Sequence, residues 1–432
     1  MNMTNHPTLI MPRLMHRARR AGPVLALAAL LSLTGCDIDQ ALDVDNPTRI
    51  PAEGLTSPEN AQLLVNGAVG DFDCAYNAYV ALSAVVAGEL TDATQTADRW
   101  PYDRRAVRPD DQRYSTFDCD DLGVYTPLAT ARWSADNILS ALLEWSDEDV
   151  PGDRDDLIAT AAAYAGYSYL LLAEGFCTMA IDLSAEMQSE EVFDSAVARF
   201  TTAIDAAQTS GSDSILNMAR VGRARAYLGL GMHQNALADA LLVPDDFVYE
   251  VSASTAATRR NNRVFDESGV GPTGGDALSV GASYRNKTWL GDPDPRVPVQ
   301  DENRTGVEGT PIFLQMKYGS LADPLPLATG VEASLIVAEI QGGSVAVGII
   351  NELHARAGLE PYGGGSAAGI QAHVIEERAR ELWLTGHRFF DIRRLNLPLD
   401  PAPGIDYRKG GVYGDTRCFP LPDVEIRNNP NI

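Results

Sequence analysis

The stretch "VIEERARELWLTGHRFFDIRRLNLP", residues 374–398, has the periodicity of an amphipathic helix that ends near Gly386. Ile375, Ala379 and Leu382 are three or four residues apart, so they lie on one face of a helix with 3.6 residues per turn. Acidic and basic residues fill the positions between them, and charges of opposite sign at this spacing can pair along a helix. Composition and periodicity alone therefore predict an ordinary surface helix.

The order of residues in this stretch resembles the carboxy-terminal signature of the SusD/RagB family of outer-membrane nutrient-binding lipoproteins, roughly R-x-x-E-L-x-x-E-G-x-R-F-x-D-x-R-R. The matching residues are Arg378, Glu381, Leu382, Gly386, Arg388, Phe389, Asp391, Arg393 and Arg394. Thr385 departs from the pattern, because it stands where the family usually has a glutamate that would form an ion pair. The resemblance extends to "DPR" (294–296), "EASLIVAEIQGG" (332–343), "INELHARAGL" (350–359) and the closing "CFPLPDVEIRNNPNI" (418–432).

What the resemblance implies is a mainly α fold, in which a tetratricopeptide-like helical-repeat scaffold displays long irregular loops. Family members are lipid-anchored at the cell surface, on the outer face of the outer membrane. There they cap a SusC-like TonB-dependent barrel and deliver glycans or peptides to it. The implied partners of this chain are therefore that barrel, a glycan or peptide ligand, and the outer membrane through a lipid anchor.

The amino terminus has the organisation of an export signal. The apolar run inside "PVLALAALLSLTGCD", residues 23–37, is shorter than the roughly 20 residues that a transmembrane helix needs, and four arginines precede it. It ends at "LTGC", which resembles the lipobox in which Cys36 is lipidated. We expect a lipoprotein signal peptide over residues 1–35, a lipidated acidic tether over 36–54 and a single SusD-like domain over 55–432. The alternative is an ordinary cleavage site beside a chance cysteine.

The chain is strongly acidic, with 59 acidic against 34 basic residues and a formal net charge of −25 at pH 7. Such a charge repels polyanions, so a nucleic-acid partner is excluded. It also repels anionic lipid headgroups, so any attachment to the membrane should come from the lipid anchor rather than from basic side chains.

Four cysteines remain beyond the lipobox, namely Cys74, Cys119, Cys177 and Cys418. An exported protein reaches an oxidising compartment, where four cysteines favour two disulfides in one of three pairings. The similar local sequences "DFDCAY" and "TFDCDD" favour a Cys74–Cys119 bond, which leaves Cys177 to pair with Cys418. Buried free thiols are the alternative.

A weak internal repeat occupies about residues 157–243. Small and large residues follow the order of a tetratricopeptide repeat, in which small side chains let paired helices approach closely. They are Ala224, Tyr227, Gly231 and Ala236, preceded by Ala196, Phe200 and Ala203. The period from Ala196 to Ala236 is 40 residues rather than about 34, and we expect the loop "TSGSDS" (209–214) to absorb the excess. Two generic alanine-rich helical hairpins are the alternative.

Residues 252–330 are rich in Gly, Pro, Asp and Asn and have no strong periodicity, so we expect a loop-rich insert there. Helical patterns cover 58–90, 125–145 and 157–176 before it and resume at 331 after it. The segment "GVGPTG" (269–274) matches G-x-G-x-x-G formally. It follows polar residues instead of a strand and carries a proline where a helix should open, so it is interpreted as a loop.

Catalytic motifs are absent from the sequence. It contains neither HExxH nor G-x-S-x-G, and no CxxC pair indicates a zinc site. Glu89 and Asp92 could form a glycosidase pair, but any two carboxylates are expected to stand near each other by chance in so acidic a chain. We therefore predict no enzymatic activity, no cofactor and no metal site.

Two loops carry the residues suited to binding a sugar, because sugars present apolar ring faces and hydroxyl edges that match aromatic and polar side chains. We expect ligand contacts within residues 95–105 and 282–296. The candidate residues are Trp100, Tyr102, Arg104, Tyr284, Asn286 and Trp289. Alternatively, these aromatic residues fasten long loops to the helical core. Trp133 and Trp383 lie at helical spacing and are expected in the core.

The sequence thus predicts a lipid-anchored nutrient-binding protein that passes a glycan or oligosaccharide to a SusC-like transporter. One alternative is a helical-repeat assembly scaffold of the cell envelope without a small ligand. A second is a surface glycan hydrolase, which requires two carboxylates about 5–10 Å apart in a cleft.

Overall fold

Packed α-helices are the main elements of the computed structural model, which describes residues 57–117, 119 and 122–432. The described part forms one compact unit within Gly54–Ile432. The predicted signal peptide (1–35), the predicted lipidation site Cys36 and the whole predicted tether (36–54) lie outside the described residues. The helices are α1 Ala61–Val86, α2 Trp100–Asp103, α3 Tyr125–Glu144, α4 Arg154–Gly175, α5 Ser189–Ser210, α6 Asp213–Gly229, α7 His233–Ala240, α8 Arg263–Ser268, α9 Gly330–Gln341, α10 Gly343–Arg356, α11 Ala367–Glu381, α12 Arg388–Arg394 and α13 Asp423–Asn428.

The expected mainly α fold is confirmed, and consecutive helices pack as a helical repeat. Helix α4 packs against α3 and α5, α5 packs against α6, and α6 packs against α7. The first helix α1 crosses this series through contacts with α3 and α4, while α9 joins it through α7 and α6. An outer helix such as α5 therefore buries one face against its neighbours, whereas the central helix α4 is buried on nearly all sides.

Glycines set the closest approach within the repeat, around the fully buried ring of Phe200. A Cβ atom built on Gly166 of α4 would lie 2.7 Å from that ring, and one built on Gly222 of α6 would lie 2.3 Å from it. Both distances are below any ordinary van der Waals contact, so only glycine fits at either position. The ring of Phe200 on α5 therefore packs between α4 and α6, in space that is open because Gly166 and Gly222 have no side chains.

The long repeat period has a different origin from the one expected. Residues 209–214 are not a six-residue loop, because α5 continues to Ser210 and α6 begins at Asp213. The two helices are 22 and 17 residues long, so the extra residues lengthen the helices. Gly211 closes α5 in the left-handed conformation, with φ of 76°, which glycine adopts without steric cost.

Short two-stranded ladders organise much of the loop-rich stretch. The strands are β1 Leu90–Asp92, β2 Thr178–Met179, β3 Met187–Gln188, β4 Val248–Val251, β5 Leu278–Val280, β6 Thr288–Trp289, β7 Asp292–Pro293, β8 Val299–Thr305, β9 Pro311–Gln315 and β10 Leu325–Thr329. The pairs are all antiparallel: β1 with β5, β2 with β3, β4 with β10, β6 with β7 and β8 with β9. Because β5 and β10 pair with strands outside the stretch, residues 252–330 are tied to the rest of the fold near their middle and at their carboxyl end.

The segment 269–274 forms no nucleotide-binding turn. It follows α8 instead of a strand, contains a turn, and leads into strand β5 instead of a helix. The interpretation of this segment as a loop is therefore confirmed.

The carboxy-terminal signature builds a buried ionic turn, so the expectation of an ordinary surface helix is wrong. Arg378 of α11 donates from Nε and Nη2 to the Asp391 carboxylate of α12 at 3.0 and 3.1 Å, and both side chains are buried. The neighbouring Arg394 pairs with Glu339 of α9 and with Asp391. Thr385 stands where the family signature has a glutamate. Its hydroxyl donates to the Leu382 carbonyl at 2.6 Å, so a short hydrogen bond within the turn takes the place of the ion pair expected from that glutamate.

Both disulfides form in the pairing that the sequence favoured. Cys74 of α1 joins Cys119 with 5.8 Å between their Cα atoms, and Cys177 joins Cys418 with 5.1 Å between theirs. Both separations are ordinary for a disulfide. Across the described ranges, every helix is too short or too polar to cross a membrane.

Candidate functional site

The first predicted loop packs onto the carboxy-terminal segment. Tyr102 is fully buried, and its hydroxyl accepts a hydrogen bond from the Tyr114 amide at 3.0 Å. Trp100 is half-buried, with the Lys409 ammonium 5.9 Å from its ring centroid. Arg104 donates to the Gly410 carbonyl at 3.3 Å. Tyr102 therefore does not fit its predicted role, because its ring has no face left for a ligand.

The second predicted loop covers another part of the core. Tyr284 is buried and stacks on Trp383 with 6.2 Å between the ring centroids, so it too does not fit a ligand-binding role. Asn286 is exposed. Trp289 is half-buried and donates from Nε1 to the Glu360 carbonyl at 2.7 Å. Only a small cavity of about 80 Å³ lies between the two predicted loops, lined by Asp103 and Arg285 among others.

The suggested glycosidase pair is structural. Asp92 is buried and forms an ion pair with Lys409. Glu89 is also buried; its Oε1 accepts from the Leu384 amide at 3.2 Å, and burial raises the pKa of Glu89 to about 7. Neither carboxylate faces a cleft large enough for a sugar ring, so this pair does not support hydrolysis.

Two large aromatic side chains are exposed beside helix α3. Phe117 is 85% exposed and Trp133 is 56% exposed, whereas Trp383 is fully buried as expected. The expectation that Trp133 lies in the core is therefore wrong. Exposing such large apolar side chains costs free energy, and neighbouring exposed apolar surface commonly marks a binding site.

The two exposed rings border neighbouring depressions of about 420 and 380 Å³ that share Thr130 of α3. We call this surface the aromatic groove and define it by six residues. They are Asp71, Phe117, Pro127, Thr130, Trp133 and Arg259. Each depression lies within the 300–1,000 Å³ usual for small-molecule sites.

Polar groups stand beside the exposed rings of the aromatic groove. Asp71 of α1 accepts from Arg259 at 3.2 Å and from the Ser134 hydroxyl at 2.9 Å, which fixes its carboxylate at the edge of the groove. At the other end, Tyr125 and Glu425 line the second depression. Burial, with the Glu425 charge nearby, raises the pKa of Tyr125, so its hydroxyl stays protonated at neutral pH.

The local sequence explains how the aromatic groove is built. Tyr125–Glu144 forms α3 with Pro127 in its first turn, where the missing amide hydrogen leaves no helical bond unmade. Thr130 and Trp133 are three residues apart, so they emerge on one side of α3. The Cys74–Cys119 disulfide lines the groove and ties the segment that carries Phe117 to helix α1.

A larger depression of about 580 Å³ lies between α5, α6 and α12, but its surface is less suited to a sugar. Its aromatic side chains Phe193 and Phe390 are buried, and two of its four acidic and basic residues, Glu339 and Arg394, already pair with each other. Among the described residues, the aromatic groove is therefore the surface that best combines stacking faces with polar edges. Sequence reasoning missed it, because helical spacing does not show which face of α3 is left uncovered.

Known proteins share this fold. Residues 331–432 match the model of the SusD family. A SusD homolog from Bacteroides thetaiotaomicron has 12% sequence identity and a TM-score of 0.67, over 89% of this chain and 98% of its own. A SusD superfamily protein from Bacteroides vulgatus has 16% identity and a TM-score of 0.66, over 86% of this chain and 97% of its own. A laminarin-binding SusD-like protein has 17% identity and a TM-score of 0.65, over 86% of this chain and 99% of its own.

No curated protein matches the sequence significantly. At such low identities, the solved structures show the fold alone. The match of residues 331–432 covers the segment that carries the buried ionic turn. The chain is thus similar to the SusD family over residues 331–432 and shares the helical-repeat fold of SusD-like proteins over most of its length.

Proposed function

We propose that this chain is a nutrient-binding lipoprotein that captures a glycan or oligosaccharide in the aromatic groove and delivers it to a SusC-like TonB-dependent transporter. Lipidation of Cys36 would hold the chain on the outer membrane at the cell surface. The observation that carries the proposal is the exposure of Phe117 and Trp133 beside the paired Asp71 and Arg259.

The chemistry of the aromatic groove suits an uncharged sugar. Phe117 and Trp133 present ring faces on which pyranose rings can stack through their apolar faces. The Asp71 carboxylate accepts and the Arg259 guanidinium donates hydrogen bonds, so the pair can match the mixed donors and acceptors of sugar hydroxyls. Because the two charges offset each other, the groove does not select a strongly charged ligand.

Binding without catalysis fits the groove better than hydrolysis. Its two carboxylates line different depressions: Asp71, which is fixed by Arg259 and Ser134, lines the first, and Glu425 lines the second, so neither depression holds a pair. Glycoside hydrolysis usually needs two carboxylates that flank the scissile bond. Several similar solved proteins are named for binding, including the laminarin-binding SusD-like protein, and this also supports a non-enzymatic role.

The test is a binding screen of soluble glycans and peptides against the mature chain with Cys36→Ser, starting with laminarin. For a glycan that binds, we expect Trp133→Ala to weaken affinity at least about tenfold, which corresponds to about 1.4 kcal/mol. Leu290→Ala is the matched control, because Leu290 is also exposed but lies outside the groove.

Two further variants, Trp100→Ala and Trp289→Ala, test the loops that the sequence favoured. Unchanged affinity in both, together with a loss in Trp133→Ala, would support the aromatic groove. A loss confined to Trp100→Ala or Trp289→Ala would place the ligand elsewhere. A failure to bind any glycan or peptide would favour the assembly scaffold without a small ligand.

A further inference from the structure

Two histidines and a glutamate converge beneath the Trp289 hairpin. His354 lies on α10, while His373 and Glu377 lie one turn apart on α11. One potential ligand atom from each side chain lies within 4.8 Å of the other two. No metal-binding motif is recognisable here in the sequence, because His354 and His373 are 19 residues apart and belong to different helices.

The distances within this cluster resemble those of a tetrahedral metal site. His354 Nε2 lies 3.0 Å from Glu377 Oε1, and His373 Nε2 lies 3.5 Å from the same oxygen. With metal–ligand bonds of about 2.0–2.1 Å, two ligands of a tetrahedral zinc ion are separated by about 3.3 Å. The two distances to Glu377 bracket that separation, and the third pair of ligand atoms, on His354 and His373, lies within 4.8 Å.

A hydrogen bond at Nδ1 of His354 directs the lone pair of the other ring nitrogen, Nε2, into the cluster. His354 Nδ1 lies 2.9 Å from the Glu360 carbonyl oxygen, which can only accept, so Nδ1 carries a proton. In the neutral ring, Nε2 then has no proton, and its lone pair faces the carboxylate oxygen Oε1 of Glu377. Two such acceptors repel each other unless a positive charge lies between them, either a proton on Nε2 or a metal ion.

His373 distinguishes these two explanations. Its Nε2 is buried and has no hydrogen-bond partner among the described residues. A proton on His354 would satisfy that histidine and leave His373 Nε2 unsatisfied, whereas one metal ion would engage all three ligand atoms. An unsatisfied buried polar atom carries a free-energy cost that ligation would remove.

The surroundings hold the three side chains in place. Arg296 pairs closely with Glu377 Oε2 and donates a longer hydrogen bond of 3.4 Å to Oε1, which also faces the two histidines. Tyr362 stacks on His373 with 4.0 Å between centroids, and Trp289 packs its ring 4.7 Å from that of His354. Such supporting contacts orient the ligands of metal sites. The partial exposure of His373 leaves a route for the ion and for a water molecule as fourth ligand.

We propose that His354, His373 and Glu377 bind one divalent transition-metal ion of the zinc class, with a solvent molecule as fourth ligand. Two imidazole nitrogens favour such an ion over calcium or magnesium, which prefer oxygen ligands. The ion would fasten α10 to α11 under Trp289. This proposal is independent of glycan binding in the aromatic groove.

The test uses the full chain in detergent, purified without a histidine tag and stripped with EDTA. Titration with Zn²⁺ by calorimetry should show one site per chain, and His373→Gln should weaken it at least tenfold. His233→Gln is the matched control, since His233 is exposed on α7 and should leave zinc binding unchanged. Circular dichroism in EDTA shows whether each variant is folded.

A second readout uses Cu²⁺, which quenches tryptophan fluorescence at short range. Copper bound at the cluster should quench part of the emission in the wild-type chain, and that part should be missing in Trp289→Phe. The proposal is overturned if the wild-type chain binds no stoichiometric Zn²⁺, if His373→Gln binds as tightly as the wild type, or if Trp289→Phe is quenched to the same extent.

Discussion

Replacing Gly222 by alanine tests the packing of the helical repeat directly. The added Cβ would lie 2.3 Å from Cζ and 2.5 Å from Cε1 of Phe200. The ring cannot simply retreat, because a Cβ on Gly166 would also approach it to 2.7 Å on the side of α4. The new methyl group must therefore move a helix or force Phe200 out of its rotamer.

Two opposing effects determine the size of the change. Alanine favours a helix over glycine by about 1 kcal/mol, whereas overpacking a well-packed core costs about 1–3 kcal/mol and occasionally more. Confinement of Phe200 on both sides places Gly222→Ala at the upper end of that cost. We therefore expect a net loss of about 1–2 kcal/mol in the free energy of unfolding.

Gly70→Ala is the control, because Gly70 lies inside α1 and a Cβ there meets nothing within 4 Å. It should stabilise the chain by about 0.5–1 kcal/mol. Urea unfolding followed by circular dichroism measures both variants, and Phe200→Leu added to Gly222→Ala should recover part of the loss. If Gly222→Ala were as stable as Gly70→Ala, Phe200 could not be confined between α4 and α6 as described.

Three further substitutions test buried charge and cross-linking. Burial raises the pKa of Glu89 to about 7 in the folded chain. The stability that its protonated form contributes is complete below pH 4.5 and is lost as the pH rises through 7. Glu89→Gln should therefore gain stability over the wild type from pH 5 to pH 8, reaching at most about 3 kcal/mol in urea unfolding, and a difference independent of pH would contradict this. Asp391→Asn removes the carboxylate that accepts two hydrogen bonds from buried Arg378, whose other carboxylate, on Glu339, lies 3.7 Å away. It should cost about 3–5 kcal/mol in the same assay, and a loss below about 1 kcal/mol would show that the pair is dispensable. Replacing Cys177 and Cys418 together by serine should cost about 2–5 kcal/mol, and thermal unfolding equal to that of the wild type would refute a structural role for this bond.

Much of the fold is predictable from the sequence, because helix periodicity and small residues act locally. The small residues at Ala196, Ala203 and Ala224 are all buried where the repeat pattern placed them. The expected loop over residues 209–214, which was to account for the long repeat period, is wrong, since nothing local shows that a helix continues to Ser210. The carboxy-terminal resemblance identified the ionic turn region, although periodicity alone suggested a surface helix.

The candidate site was less predictable, because exposure depends on which elements happen to cover a side chain. Tyr102 and Tyr284 lie in polar loops yet are buried by distant segments of the chain. Trp133 lies in an amphipathic helix yet faces solvent. The histidine cluster depends on the packing of α10 against α11, a tertiary contact that residue spacing does not encode.

The most direct measurement of the central claim is a crystal structure of the mature chain with a bound oligosaccharide from the glycan that the screen identifies. We expect a sugar ring stacked on Trp133 within about 4.5 Å, the upper limit for contact between heavy atoms, with Asp71 or Arg259 hydrogen-bonded to its hydroxyls. Oligosaccharide density at the Trp100 or Trp289 loop, with an empty aromatic groove, would contradict the account.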